Sequence, residues 1–239
     1  MEEFKLKTVL LTGASSGIGL ATGLKLSKEG YEIYGIGRTF DTTFTLPENF
    51  HCYSCDLIDH TALLSTLNKI KETLGVPSPD ILIHSAGVGY YGLQEQISDE
   101  NIMSLVRTNI EVPMLLTSHF LPFMKQRKSG HIIFLSSVTA RKSNTYGCAY
   151  GATKSALLSF ANSLFDEVRK NGIKITTLLP DMTQTNLYRN ADFTADETAC
   201  LFPEDIADTI FYVLSASEHV NITELTIQPQ KHRIKKRNN

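Results

Sequence analysis

From Lys7 onward the chain alternates short runs rich in β-branched and aromatic residues with longer amphipathic ones, and few architectures accommodate that pattern. Thr8–Thr12 reads as a strand. A glycine-rich turn follows, then a helix from about Gly17 to Glu29, stopped by Gly30. Further strands are predicted at Tyr31–Ile36, Phe50–Ser54, Ile81–His84, His131–Leu135, Ile173–Leu179 and Ile222–Ile227. Between them fall a helix capped by Asp59 and ending near Leu74, then helices at Ser98–Asn109, Pro113–Arg127, Ala149–Val168 and Pro203–Ala216. Such alternation builds an α/β fold: a doubly wound parallel sheet of seven strands with helices on both faces. Right-handed crossovers place every strand's C-terminal end on one edge, with a ligand crevice where the strand order reverses. No Pro/Gly/Ser linker divides the chain, so one domain is expected over residues 1–230, followed by a basic tail over 231–239.

Composition is that of a soluble globular protein, 42% hydrophobic and 20% charged. The first residues carry two acids ahead of a short apolar run, unlike a secretory signal, and no stretch of about 18 apolar residues reads as a membrane span. A cytoplasmic protein is expected. The four cysteines do not make a disulfide framework in 239 residues. Cys52-x-x-Cys55 has metal-like spacing, but no second pair completes a zinc site, so two reduced, packed thiols are expected. The last nine residues hold five Lys/Arg and no acid, although the net charge is −2. Such a tail can bind nucleic acid or an anionic membrane, but its position at a terminus reads as solvated and poorly ordered, and no such partner is expected.

The turn Thr12-Gly-Ala-Ser-Ser-Gly-Ile-Gly19 carries the first chemical signal. Gly13 permits a sharp turn, Gly17 lets backbone approach a pyrophosphate, and Gly19 lets the helix pack close to the sheet. The following helix N-terminus presents free N–H groups to the phosphates, with Ser15, Ser16 and Ile18 in the same loop. An NAD site wants a carboxylate at the end of the second strand for the ribose 2′-hydroxyl. This chain has Gly37-Arg38-Thr39 instead. Arg38 suits the bidentate grip of a 2′-phosphate, with Thr39 as a hydroxyl donor, so NADP(H) is favoured over NAD.

Tyr150 and Lys154 lie four residues apart in a helical run, which turns phenol and ammonium to the same face. A fixed positive charge beside a phenol lowers its pKa from about 10, making it a usable acid or base. Taken alone, the pair also fits a half-buried tyrosine beside a solvated lysine.

Together these residues resemble the short-chain dehydrogenase/reductase family over nearly the whole chain, in its short single-domain, Rossmann-like branch. The family's TGxxxGxG stands at Thr12–Gly19 and its YxxxK at Tyr150–Lys154. Ser137, ending the run Ile132–Ser137 thirteen residues before Tyr150, matches the family's serine, and Asn109 its helix asparagine. The resemblance further implies that Asp56 and Leu57 meet the adenine, Ala86 and Gly87 line the adenosine side, and Pro180 and Thr185 meet the nicotinamide end. His84-Ser85 replaces the family's paired asparagines, and Asp181 replaces the glycine after Pro180; the acid is expected to point to solvent.

The implied reaction is hydride transfer between nicotinamide and a ketone, aldehyde or secondary alcohol. Ser137 polarises the carbonyl, Tyr150 delivers the proton, and Lys154 tunes the phenol and holds the nicotinamide ribose. Asn109 holds a water that reconnects Lys154 to solvent. The weakly periodic segment between Thr183 and Pro203 is expected to close over substrate, with Leu187, Tyr188 and Phe193 on one wall and Val138, Ser143, Thr145 and Tyr146 on the other. Arg141 and Arg189 are candidate partners for an anionic substrate. A homodimer or homotetramer is implied, and the face Leu157, Ala161, Leu164 and Phe165 fits either an interface or core. Two other readings are a non-catalytic NADP-binding regulator, which typically lacks Tyr150 or Lys154, and a sugar-nucleotide epimerase or dehydratase, which usually needs a larger C-terminal substrate domain.

Overall fold

The computed structural model describes residues 6–43, 45–231 and 233–236. Seven strands form one parallel sheet: β1 (Thr8–Thr12), β2 (Glu32–Gly37), β3 (Phe50–Ser54), β4 (Ile81–His84), β5 (Gly130–Leu135), β6 (Ile173–Pro180) and β8 (Glu224–Ile227), in the order β3-β2-β1-β4-β5-β6-β8. The order reverses between β1 and β4, where a doubly wound sheet opens its crevice. Side chains alternate across it. Leu10, Leu82, Ile132 and Phe134 pack against α2 (His60–Leu74), α4 (Val112–Arg127) and α5 (Cys148–Val168). Val9, Leu11, Ile83 and Ile133 pack against α1 (Gly17–Lys28) and α6 (Pro203–Leu214). Each fully buried side chain of this size contributes about 1.5–3 kcal/mol, and burial of both faces explains the nearly unbroken apolar strands.

Local chemistry sets the ends of the elements. The Asp59 carboxylate accepts from the Ala62 N–H at 3.0 Å, as the capping pattern predicts, and left-handed Gly75 closes α2. The two helices expected around Asn109 form one continuous run. α3 (Asp99–Val106) passes through a π-turn at Arg107–Glu111 directly into α4. Leu157, Ala161 and Leu164 pack in the core under the sheet, with Phe165 against its edge.

The paired-asparagine replacement has a structural answer. His84 stacks on Phe134 at 4.9 Å between ring centroids and its Nε2 faces the Thr117 hydroxyl at 3.1 Å. The tie between β1 and β4 comes from Thr12, whose hydroxyl accepts the Ala86 N–H at 3.2 Å and donates to the Ile83 carbonyl at 3.4 Å.

Two short strands were not legible in the sequence. β7 (Phe193–Ala195) lies in the segment after β6 and pairs antiparallel with β9 (Ile234–Lys236), which belongs to the basic tail. Ile234–Lys236 are exposed, as a solvated terminus is, but they are ordered as a strand, which corrects the expectation of poor order; 237–239 lie outside the described residues. Asp196, 3% exposed, lies 3.4 Å from the Lys235 ammonium and 3.9 Å from the Arg233 guanidinium. Its carboxyl is held below the usual range first by the Thr198 N–H and hydroxyl, with Lys235 adding to them. The base of the same segment is pinned where the Leu201 N–H donates to Met182 and the Gln184 N–H donates to Leu201. All four cysteines are free, but Cys52 is exposed and only Cys55 is packed, which corrects the expectation of two buried thiols.

Two predictions follow from this packing. Burial pushes His84 and His131 from 6.5 down to about 3, with nearby Lys174 and Lys7 adding to the shift at His131. Both rings are neutral above pH 6.5 in either state, and below it the unfolded chain takes protons that the folded one refuses. Stability should fall as pH drops from 6.5 toward 3, at no more than about 1.4 kcal/mol per pH unit for each histidine. Urea unfolding midpoints at several pH values should show a shallower acid slope for His84→Asn; an unchanged slope would refute the assignment. Asp196→Ala should speed amide exchange of Phe193–Ala195 by about tenfold while leaving β1 and β4 unchanged, as read by mass spectrometry.

Candidate active site

The C-terminal ends of the strands converge on one cleft. It is lined by the Gly13–Gly19 turn, by Gly37 and Arg38 after β2, and by Cys55–Ile58 after β3. Ser85–Val88 after β4, Ser136 and Ser137 after β5, and Pro180 and Asp181 at the end of β6 complete its floor. Tyr150 and Lys154 of α5 and Thr185–Arg189 of the following segment close its far end. Thr39 and Asn109 lie outside this lining.

The glycine turn is sterically required. Gly13 has a φ of 70°, and a Cβ there would come within 2.8 Å of the Ala86 backbone; a Cβ on Gly19 would run into the Gly13 carbonyl. Loop and helix start are thereby drawn against the β4 end. The Ser16 side chain makes no capping bond to α1, and no acid occupies the first helical turn, so these N–H groups face the cleft without a protein acceptor. That arrangement fits a dinucleotide's phosphates. Arg38 is exposed at the cleft rim, where a 2′-phosphate would lie.

At the other end Ser137, Tyr150 and Lys154 are 7%, 4% and 5% exposed. Lys154 donates to the Leu135 carbonyl at 2.8 Å, and the Ser136 hydroxyl donates to the Lys154 carbonyl at 2.9 Å, fixing α5 against the end of β5. An ammonium has three donors, so two remain for a ligand in the cleft, as a ribose diol would require. Burial lowers Lys154 to about 8.

Burial also drives Tyr150 up to about 12, against the downward pull of hydrogen bonds with Ser137 and Tyr91. This corrects the expectation that Lys154 lowers the phenol: its ammonium lies 5.7 Å from the Tyr150 ring centroid, and desolvation outweighs it. At neutral pH Tyr150 is therefore protonated, as a proton donor must be.

Asn109 has a structural task rather than a free side chain. Its Oδ1 accepts the Val88 N–H at 2.9 Å, while Nδ2 donates to the Val88 carbonyl at 3.0 Å and to the Thr153 hydroxyl at 3.1 Å. The carboxamide is thus committed to protein. Asp181 does not simply point to solvent: its carboxylate accepts from the Met182 N–H and the Gln228 amide, both at 2.8 Å.

The expected second wall does not form. Ser143, Thr145 and Tyr146 are exposed, Val138 is buried in a 3₁₀ turn, and none of them lines the cleft. Arg141 grips Glu224 in a bidentate pair at 3.0 and 2.6 Å. Leu187, Tyr188 and Arg189 do line the cleft, and Phe193 packs behind Tyr188 with centroids 5.6 Å apart. Tyr91 carries no sequence signal that marks it as a site residue. Its nearest signal is its place four residues after Gly87, in a Gly-Val-Gly-Tyr-Tyr-Gly loop that no motif marks.

The sequence profile of the short chain dehydrogenase family matches residues 7–195. An uncharacterised oxidoreductase of Staphylococcus haemolyticus is 34% identical over 234 residues, covering 96% of this chain and all of the relative. A serine 3-dehydrogenase of Agrobacterium fabrum is 31% identical and covers 93% of each chain. Among solved structures, the closed form of a serine dehydrogenase complexed with NADP+ shares the fold, with a TM-score of 0.82, 24% identity, and coverage of 93% of this chain and 94% of that one. Matching motifs, sheet order and relatives agree: the chain belongs to the short-chain dehydrogenase family of oxidoreductases.

Proposed function

We propose that this protein is an NADP(H)-dependent reductase of ketones or aldehydes that also runs as a secondary-alcohol dehydrogenase. The observation that carries the reading is the buried Ser137–Tyr150 hydroxyl pair beside Lys154, at the closed end of the cleft that begins at the glycine turn. NADPH, when bound, supplies the hydride. The first turn of α1 binds the pyrophosphate, with Ser15, Ser16, Gly17 and Ile18 around it. Arg38 grips the 2′-phosphate, and Thr39 adds a hydroxyl beside it. Asp56, Leu57, Ala86 and Gly87 flank the adenosine half; Pro180 and Thr185 stand at the nicotinamide half.

Lys154 holds the nearer ribose through its two remaining donors. Ser137 hydrogen-bonds the substrate oxygen and stabilises the charge that develops there. Tyr150, protonated at neutral pH, gives its proton to that oxygen. The Asn109 carboxamide is committed to Val88 and Thr153, so its part in this site is to hold the loop after β4 and α5 together. The free thiols of all four cysteines suit a reducing, cytoplasmic setting. A homo-oligomer is proposed from the family alone.

Tyr150→Phe should lower kcat by about 10²- to 10⁴-fold while NADPH binding is retained. Near-wild-type turnover of NADPH with a panel of ketones, aldehydes and quinones would remove Tyr150 from the mechanism. Arg38→Ala should weaken NADPH binding by about 10- to 100-fold, the worth of a charge-assisted contact, and leave NADH binding little changed. Equal loss for both cofactors, measured by calorimetry, would contradict the 2′-phosphate role.

A further inference from the structure

Four aromatic side chains cluster at one end of the cleft: Tyr150 and Tyr188 line it, and Tyr91 and Phe193 pack behind them. The Tyr91 ring lies 5.4 Å from Tyr150, 5.6 Å from Tyr188 and 5.4 Å from Phe193, between centroids. Met182, Leu187 and Ala191 pack around them. The Tyr91 and Ser137 hydroxyls both pull the Tyr150 phenol downward against its burial, and the Tyr91 ring is tilted 48° to that of Tyr150.

Three local features hold Tyr91 in place. The Asn109 carboxamide clamps both backbone groups of Val88. Beyond Tyr91, the Gly92 N–H donates to the Tyr146 carbonyl at 2.8 Å. Between them, a Cβ at residue 89 would lie 2.8 Å from Tyr91 Cε2 and 3.2 Å from the Leu187 carbonyl, so the ring folds back over its own loop because residue 89 is glycine. The placement is built rather than incidental.

We propose that Tyr91, packed behind Tyr150 and Tyr188, is a positioning residue for an aromatic wall that selects uncharged carbonyl substrates bearing an aryl or branched-alkyl group. The inference rests on the carbonyl-reductase reading above. A carbonyl oxygen held by Ser137 and Tyr150 sets the substituent on its carbon beside Tyr188, the cluster ring that lines the cleft with Tyr150, while Tyr91 and Phe193 back it. An aromatic ring gains offset or edge contacts and burial there. A carboxylate or ammonium in the same position would lose its water to rings that return no matching charge. The preferred substrate therefore differs in kind from the amino acid for which the serine 3-dehydrogenase relative is named.

The test compares NADPH-dependent reduction of 1-phenyl-1,2-propanedione, 2,3-butanedione and 2-oxobutanoate, and NADP+-dependent oxidation of L-serine. The phenyl diketone should exceed butanedione in kcat/KM by about tenfold or more, with the two charged compounds slowest. Tyr91→Leu should collapse that ratio, mainly by raising KM for the phenyl diketone. Tyr91→Phe should keep the preference, because it retains the ring and removes only the hydroxyl. A wild type that prefers 2-oxobutanoate or L-serine, drawn by Arg189 at the cleft edge, would overturn the proposal, as would a Tyr91→Leu variant with an unchanged ratio. Saturation-transfer NMR with the same probes on the NADP+-loaded protein separates the two readings. Binding of the phenyl diketone that is lost in Tyr91→Leu, without turnover of any carbonyl, would uphold the pocket and remove the reductase assignment. Turnover without aryl preference would overturn the pocket alone, and absence of both binding and turnover would overturn both.

Discussion

The carboxamide of Asn109 joins three parts of the fold that the chain visits far apart. Through Val88 it fixes the loop after β4, and through Thr153 it reaches α5. Thr153 in turn donates to the Tyr150 carbonyl at 2.7 Å, so the same small network sets the backbone that carries the phenol. Asn109 is 1% exposed, and a buried primary amide is costly unless its donors and acceptor are matched. The π-turn at Arg107–Glu111 brings it to that position. This one satisfied side chain thus ties the loop that leads to Tyr91 to the helix that carries Tyr150.

Burial outweighs charge throughout the site. The chain spacing places an ammonium near a phenol, which alone would pull the phenol down. The folded protein removes both from water, and removal from water penalises each charged form, so Tyr150 rises to about 12 and Lys154 falls to about 8. The pair therefore rests as a neutral phenol beside an ammonium that titrates within reach of physiological pH. The same rule governs His84, which occupies a family asparagine position as a neutral, stacked ring rather than as a charge.

The basic tail shows how a surface feature acquires a use. Arg233 and Lys235 meet a buried carboxylate, Asp196, while Ile234–Lys236 adds a strand to Phe193–Ala195. Phe193 at the start of that strand stands in the aromatic cluster beside Tyr150. End of chain, substrate-side segment and reacting end are thus mechanically continuous.

Much of this was legible in advance. Periodicity and turn residues were enough for the seven-stranded parallel sheet, because strands buried on both faces and helices buried on one leave different apolar patterns. The glycine turn, Arg38 and the Tyr150–Lys154 pair were readable for a related reason: each is a short-range arrangement whose geometry is set within a few residues. Tyr91, the partners of Asn109, the Arg141–Glu224 pair and the β7–β9 pairing were not, since each joins residues brought together only by the crossovers. The primary structure by itself determined the fold class, the glycine turn at one end of the cleft and the Tyr150–Lys154 pair at the other. Only the tertiary structure decided which groups surround that pair and which way their pKa values move, because both depend on burial, a property of neighbours distant in the chain.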